Sequence, residues 1–165
     1  MAQTENKKRI LIVDDDETIL ETLQLILEEE GYTVDMAKTG KEAIDKTYGE
    51  FYNLAIIDWK LPDIEGTKLL TGLKETVPRM AKIMLTGYPS MENAIASVNA
   101  RADAFFQKPV SFDLVLKKVK ELLELQEGEQ KFSEQKMSEY VETRMKALSP
   151  SEGMFAQPRK SGESS

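Results

Sequence analysis

Five short, mostly apolar runs, each followed by a stretch with helical spacing, constrain this chain more than any other feature. Residues 10–13 (ILIV) and 54–57 (LAII) are continuous apolar runs of the kind found in strands buried on both faces of a parallel sheet. Residues 82–85 and 104–106 read as two more strands, and residues 32–37 alternate Tyr32, Val34 and Met36. Between them, residues 17–30 place Ile19, Leu20, Leu23, Ile26 and Leu27 on one helical face, closed by Gly31. Residues 39–48, 67–75 and 91–101 predict three further helices, and Ser111 caps one running to about residue 126. Five strands alternating with five helices predict an α/β domain with a doubly wound, five-stranded parallel sheet. No internal repeat interrupts the pattern.

Polar residues collect where the strands end. The first run stops at Asp14, Asp15 and Asp16, the third at Asp58, the fourth at Thr86 and Gly87, and the fifth at Gln107, Lys108 and Pro109. In an open parallel sheet the C-terminal strand ends line one crevice, the usual ligand site. Taken singly, each feature is ordinary: Asp16 reads as a helix N-cap, Thr86–Gly87 as a turn and Lys108–Pro109 as a solvated loop. Together they deliver carboxylates, a hydroxyl and an ammonium to one edge. Clustered carboxylates repel one another until a hard dication sits among them, and Mg²⁺ takes oxygen ligands.

Composition narrows the chemistry. The formal net charge of −7 argues against a broad surface for nucleic acid or anionic membrane, and no apolar run is long enough to span a bilayer. Residues 1–9 lack the apolar stretch of a secretory signal, so a cytoplasmic location is expected. The absence of cysteine excludes disulfides and thiolate chemistry. The absence of histidine excludes His-based acid–base catalysis and His-ligated metal, so any phosphohistidine donor must belong to a partner.

The motifs RILIVDDDE (residues 9–17), AIIDWKLPDIEG (55–66), IMLTGY (83–88) and FFQKPV (105–110) resemble the receiver domain of two-component response regulators, including the single-domain chemotaxis regulator. The resemblance covers about residues 8–126 and implies a flavodoxin-like sheet in the order 2-1-3-4-5. It implies that Asp58 is the phosphoacceptor, attacking a phosphohistidine on a sensor histidine kinase to give an aspartyl phosphate. Asp15, Asp58 and the backbone carbonyl of Lys60 would hold Mg²⁺, with Asp14 acting through water. Thr86 and Lys108 would each contact a phosphoryl oxygen. Thr86 and Phe105 match the switch positions, whose movement would reshape the face formed by the fourth helix, fifth strand and fifth helix. A cis Lys108–Pro109 bond is also implied. On this reading the protein is a signalling receiver in a phosphorelay, and catalyses only its own phosphorylation and dephosphorylation. Trp59, Lys60 and Tyr88 depart from the commoner residues at their positions, which flank the path of attacking water and bear on the lifetime of the phosphorylated state.

Two other readings compete. DDDET also fits D-x-D-x-T, the signature of haloacid-dehalogenase-type phosphatases, with Asp14 as nucleophile and Asp16 as acid–base. That family requires a later acidic pair on a strand end, whereas the only aspartate after Lys108 is Asp113, in a helix. A phosphorylation-independent protein-binding module would leave the acidic pair, Asp58, Thr86 and Lys108 without work.

Residues 127–165 number 39, with six Lys/Arg and seven Glu, too few and too balanced in charge for a helix-turn-helix output domain. Output by protein–protein contact is therefore expected, to a downstream target or a second copy. Gly128 is expected to interrupt the last receiver helix. Residues 127–148 then predict an amphipathic extension, with Met137, Val141, Met145 and Leu148 along one side and Tyr140 beside them, and residues 149–165 a flexible tail. An apolar side on a helix this short needs a covering surface, which makes the extension a second candidate for self-association.

Overall fold

In the computed structural model, which describes residues 6–87 and 90–148, the apolar runs form strands β1 (Arg9–Val13), β2 (Thr33–Ala37), β3 (Leu54–Asp58), β4 (Ala81–Thr86) and β5 (Ala104–Gln107). They pair in parallel in the order β2-β1-β3-β4-β5. The helices are α1 (Glu17–Glu29), α2 (Gly40–Gly49), α3 (Gly66–Gly72), α4 (Met91–Asn99) and α5 (Phe112–Leu148). The sheet order reverses between β1 and β3, so their C-terminal ends open the switch-point crevice in which doubly wound folds bind ligands.

Alternation along each strand splits the core between the two faces of the sheet. Ile10, Ile12, Leu54, Ile56, Ile83 and Leu85 pack against Leu20, Leu23 and Leu27 of α1 and Val115, Val119 and Leu123 of α5. Leu11, Val13, Ala55, Ile57 and Met84 face the opposite way, toward Ala43 of α2 and Leu69 and Leu70 of α3. Strands buried on both sides carry no polar alternation, which is why they read as continuous apolar runs.

Three expectations about helix ends are corrected. α3 stops at Gly72, because Leu73 adopts an extended conformation and is buried in the second core face. α4 stops at Asn99, and Arg101 takes a left-handed conformation at φ 67°. Gly128 does not interrupt the last helix: α5 is continuous from Phe112 to Leu148. A single glycine costs a helix about 1 kcal/mol relative to alanine, and the Leu, Glu, Gln and Lys residues flanking it are good helix formers. By contact density the chain divides into two compact units, residues 1–127 and 128–165. Tyr88 and the segment 149–165 lie outside the described residues.

Candidate functional site

β1 carries Asp14 to the crevice by backbone pairing: the Asp14 N–H donates to the carbonyl of Ala37, the last residue of β2, at 3.1 Å. The side chain then turns back on its own loop, where Oδ1 accepts from the Asp16 N–H at 2.9 Å. Asp16 caps α1 by accepting from the Thr18 and Ile19 N–H groups at 2.9 and 3.4 Å. The three consecutive aspartates thus do different work. Asp14 is 1 % exposed, Asp15 faces solvent, and Asp16 is consumed as a cap. That engagement leaves Asp16 poorly placed for the acid–base role a phosphatase would require.

Asp58 ends β3 one strand away and is 6 % exposed. Asp14, Asp15 and Asp58 each present a carboxylate oxygen within 4.8 Å of the other two. Lys108 answers this charge. Its Nζ donates to Asp14 Oδ2 at 3.0 Å and lies 3.3 Å from Asp58 Oδ1. Its backbone N–H donates to the Thr86 carbonyl at 2.6 Å, fixing the turn after β5 against the end of β4. Thr86 is the last residue of β4 and fully buried. The Lys108–Pro109 bond is cis, as expected, and so is Val77–Pro78.

Burial sets the protonation energetics. It pushes the Asp58 carboxyl up to about 6, with the Asp14 charge adding to the effect and Lys108 opposing it. Burial likewise raises Asp14, against the Asp16 N–H and Lys108. Burial pulls the Lys108 ammonium down, but the Asp14 hydrogen bond and the two carboxylate charges outweigh it and leave Lys108 above its ordinary value. Lys108 thus pairs with two of the three clustered carboxylates, Asp14 and Asp58. A pocket of about 280 Å³ opens over the crevice, lined by Asp15, Asp58, Lys60, Gly87 and Lys108 among others. The donor set of carboxylates, with no sulfur or imidazole, suits a hard oxygen-seeking dication.

The loop after β3 is held from both ends. The Trp59 N–H donates to the Leu85 carbonyl and the Gly66 N–H to the Trp59 carbonyl, at 2.7 and 2.6 Å. Asp63 accepts from the Gly40 and Lys41 N–H groups at the start of α2, at 2.8 and 2.9 Å, and these bonds hold its carboxyl below the usual range. Ile64 closes over Gly40, leaving no room for a Cβ there. Phe105, half-buried in β5, meets the Trp59 ring edge-on with centroids 6.5 Å apart. Sequence reasoning placed Asp14, Asp15, Asp58 and Lys108 at one edge, and the structure brings them together there. That reasoning missed the direct Lys108–Asp14 pair, the Asp63 anchor and the Trp59–Phe105 contact. Each joins residues far apart in the chain, and no local pattern announces them.

This edge of the fold is that of a receiver-type α/β module, and comparison with known proteins places it. The family model for the response regulator receiver domain matches residues 10–120. The chain therefore belongs to the response regulator receiver domain family and is a receiver of the two-component type. A CheY-like receiver domain protein from Methanospirillum hungatei superposes with a TM-score of 0.72 at 52 % identity, covering 75 % of this chain and 99 % of that one. The NtrC4 receiver domain, solved as a beryllofluoride-activated dimer, gives 0.67 at 36 % identity over 72 % of this chain and 98 % of that one. The regulatory protein VanRB of Enterococcus faecalis is 36 % identical over 115 residues, 70 % of this chain and 52 % of that protein. The chain spans about half the length of that relative. Among the described residues, no helix is long and apolar enough to cross a membrane.

Proposed function

We propose that the receiver unit, residues 8–126, accepts a phosphoryl group on Asp58 from a phosphohistidine of a sensor histidine kinase. The observation that carries this reading is the convergence of Asp14, Asp15, Asp58 and Lys108 beneath an open pocket. An Asp58 carboxylate oxygen attacks phosphorus, the N–P bond of the donor breaks, and the imidazole leaves with the electron pair. The donor imidazole belongs to the partner, since this chain has no histidine. Lys108 moves from pairing with carboxylates to pairing with a phosphoryl oxygen, and the Thr86 hydroxyl donates to another. The carboxylate cluster fits Mg²⁺: Asp15, Asp58 and the Lys60 carbonyl would hold it, Asp14 would act through water, and when bound it offsets the charge that builds up on the phosphoryl oxygens.

Phosphorylation then changes protein–protein contacts through Thr86 and Phe105. The surface that supports this is α4, whose one buried residue is Ser97 while Met91, Ile95 and Val98 face solvent at 76, 53 and 70 % exposure. A helix that turns its apolar side outward fits a partner, either a downstream protein or a second copy through α4, β5 and α5. Residues 127–148 form a helical extension that offers another such surface. Cytoplasmic residence follows from a kinase donor on that side of the membrane. Direct contact with nucleic acid is not part of the proposal, nor is membrane insertion.

Incubation with acetyl phosphate and Mg²⁺ tests the reading. Mass spectrometry should find one phosphoryl group on Asp58, none in Asp58→Asn and none in excess chelator. Beryllofluoride should bind only when Mg²⁺ is present. Undiminished labelling of Asp58→Asn, or labelling without dication, overturns it.

A further inference from the structure

The extension of α5 carries an apolar stripe: Met137, Val141, Met145 and Leu148 are 62, 45, 63 and 82 % exposed. Their steps of four, four and three keep them on one side of a straight helix. Two charges stand in the same stripe. Glu134 lies three residues before Met137, and Arg144 three residues after Val141. The series Glu134, Met137, Val141, Arg144 has steps of three, four and three, so the spacing is unchanged when the helix is reversed while the charge changes sign.

That symmetry selects a partner. Laid antiparallel on a second copy, Met137 meets Val141 of the other chain, and Glu134 meets Arg144 of the other chain, each contact occurring twice. That register sets Met145 against Ser133 and Leu148 against Gln130. A parallel pair in register would set Glu134 against Glu134 and Arg144 against Arg144, and like charges opposed in a seam are destabilising. An antiparallel pair slipped by one turn would set Met137 against Met145 and Val141 against Val141, but Glu134 against Leu148 and Arg144 against Ser138, so the choice between the two registers rests on the ion pairs, which the slip loses. Glu134 accepts a long 3.3 Å bond from Gln130, and Arg144 lies over the Tyr140 ring at 5.8 Å, a contact it can keep while reaching across.

We propose that residues 130–148 pair antiparallel with the same segment of a second copy, in the register set by Glu134 and Arg144. The inference rests on the helix alone, so it stands or falls separately from the chemistry of Asp58. Sedimentation equilibrium of the full chain without a phosphoryl donor tests it. A dimer is expected for the wild type and for Asp58→Asn. Glu134→Arg and Arg144→Glu should each weaken it by about tenfold or more, and the double exchange E134R/R144E should restore it. Because the chain has no cysteine, Met137→Cys and Val141→Cys add a second readout. Oxidation should cross-link the mixture of the two proteins faster than either protein alone. Circular dichroism of each variant should match the wild type, as expected for substitutions on an exposed helix face. A monomeric wild type, single charge reversals without effect, a double exchange that fails to restore, or faster cross-linking of either protein alone overturns the proposal.

Discussion

Replacing the proposed acceptor should stabilise the metal-free protein. Asp58 is 6 % exposed and close to the buried Asp14, and its charge is compensated by the shared Lys108 ammonium and the Lys60 backbone N–H. Its carboxyl sits at about 6 in the folded chain against an ordinary 3.8. An acid with a raised folded-state value is fully tolerated below the unfolded value. It then withdraws stability as pH rises through the folded one. At pH 7.5 the difference amounts to about 3 kcal/mol. Asp58→Asn removes the charge at constant shape but leaves a buried amide, whose imperfect hydrogen bonding takes back about 1 kcal/mol. The expected gain is therefore about 2 kcal/mol at pH 7.5, shrinking to under about 1 kcal/mol at pH 5, where the wild-type carboxyl is largely protonated. Urea unfolding in chelator at the two pH values measures it. Adding Mg²⁺ at pH 7.5 should narrow the gap, because a ligand of the wild-type cluster stabilises only that protein. Asp58→Asn less stable than wild type at pH 7.5, or a gain equal at both pH values, would refute the reasoning.

Lys108→Ala should act in the opposite direction, because it strands two buried carboxylates. A loss of about 3 kcal/mol at pH 7.5 is expected, smaller at pH 5, by the same urea titration. Gly40→Ala should destabilise by about 1–3 kcal/mol despite the better helix propensity of alanine. Its Cβ would run into Ile64 Cγ2, and Ile64→Ala in the same chain should recover most of the loss in thermal unfolding. Gln126→Ala should cost about 2–3 kcal/mol. The Gln126 amide donates to the Asn53 and Arg79 carbonyls at 2.8 and 2.7 Å and accepts from Asn53 Nδ2 at 3.2 Å, in a site where it is 6 % exposed. A stability change within 0.5 kcal/mol of zero would place those carbonyls in contact with water instead.

What the sequence discloses follows from how far each signal reaches. The strands were legible because β1, β3 and β4 are buried on both faces, and that favours apolar residues through the middle of each. The site was legible because a parallel sheet sends every C-terminal strand end to one edge, so four separate stretches could be added together before any coordinate was known. Which groups bond to which was not legible. Lys108 and Asp14 are 94 residues apart, and only the assembled sheet brings the ammonium to the carboxylate. Gln126 reads in sequence as the polar end of a helix, yet it is a buried pin holding α5 to the chain just before β3 and just before β4. Gly128, two residues later, reads as a stop and is passed over. A helix ends where its backbone groups find better partners, and no Pro, capping side chain or turn with positive φ waits at that point. The propensity cost of one glycine is smaller than the cost of opening a helix among good helix formers, so the helix continues to Leu148 and carries its apolar stripe with it.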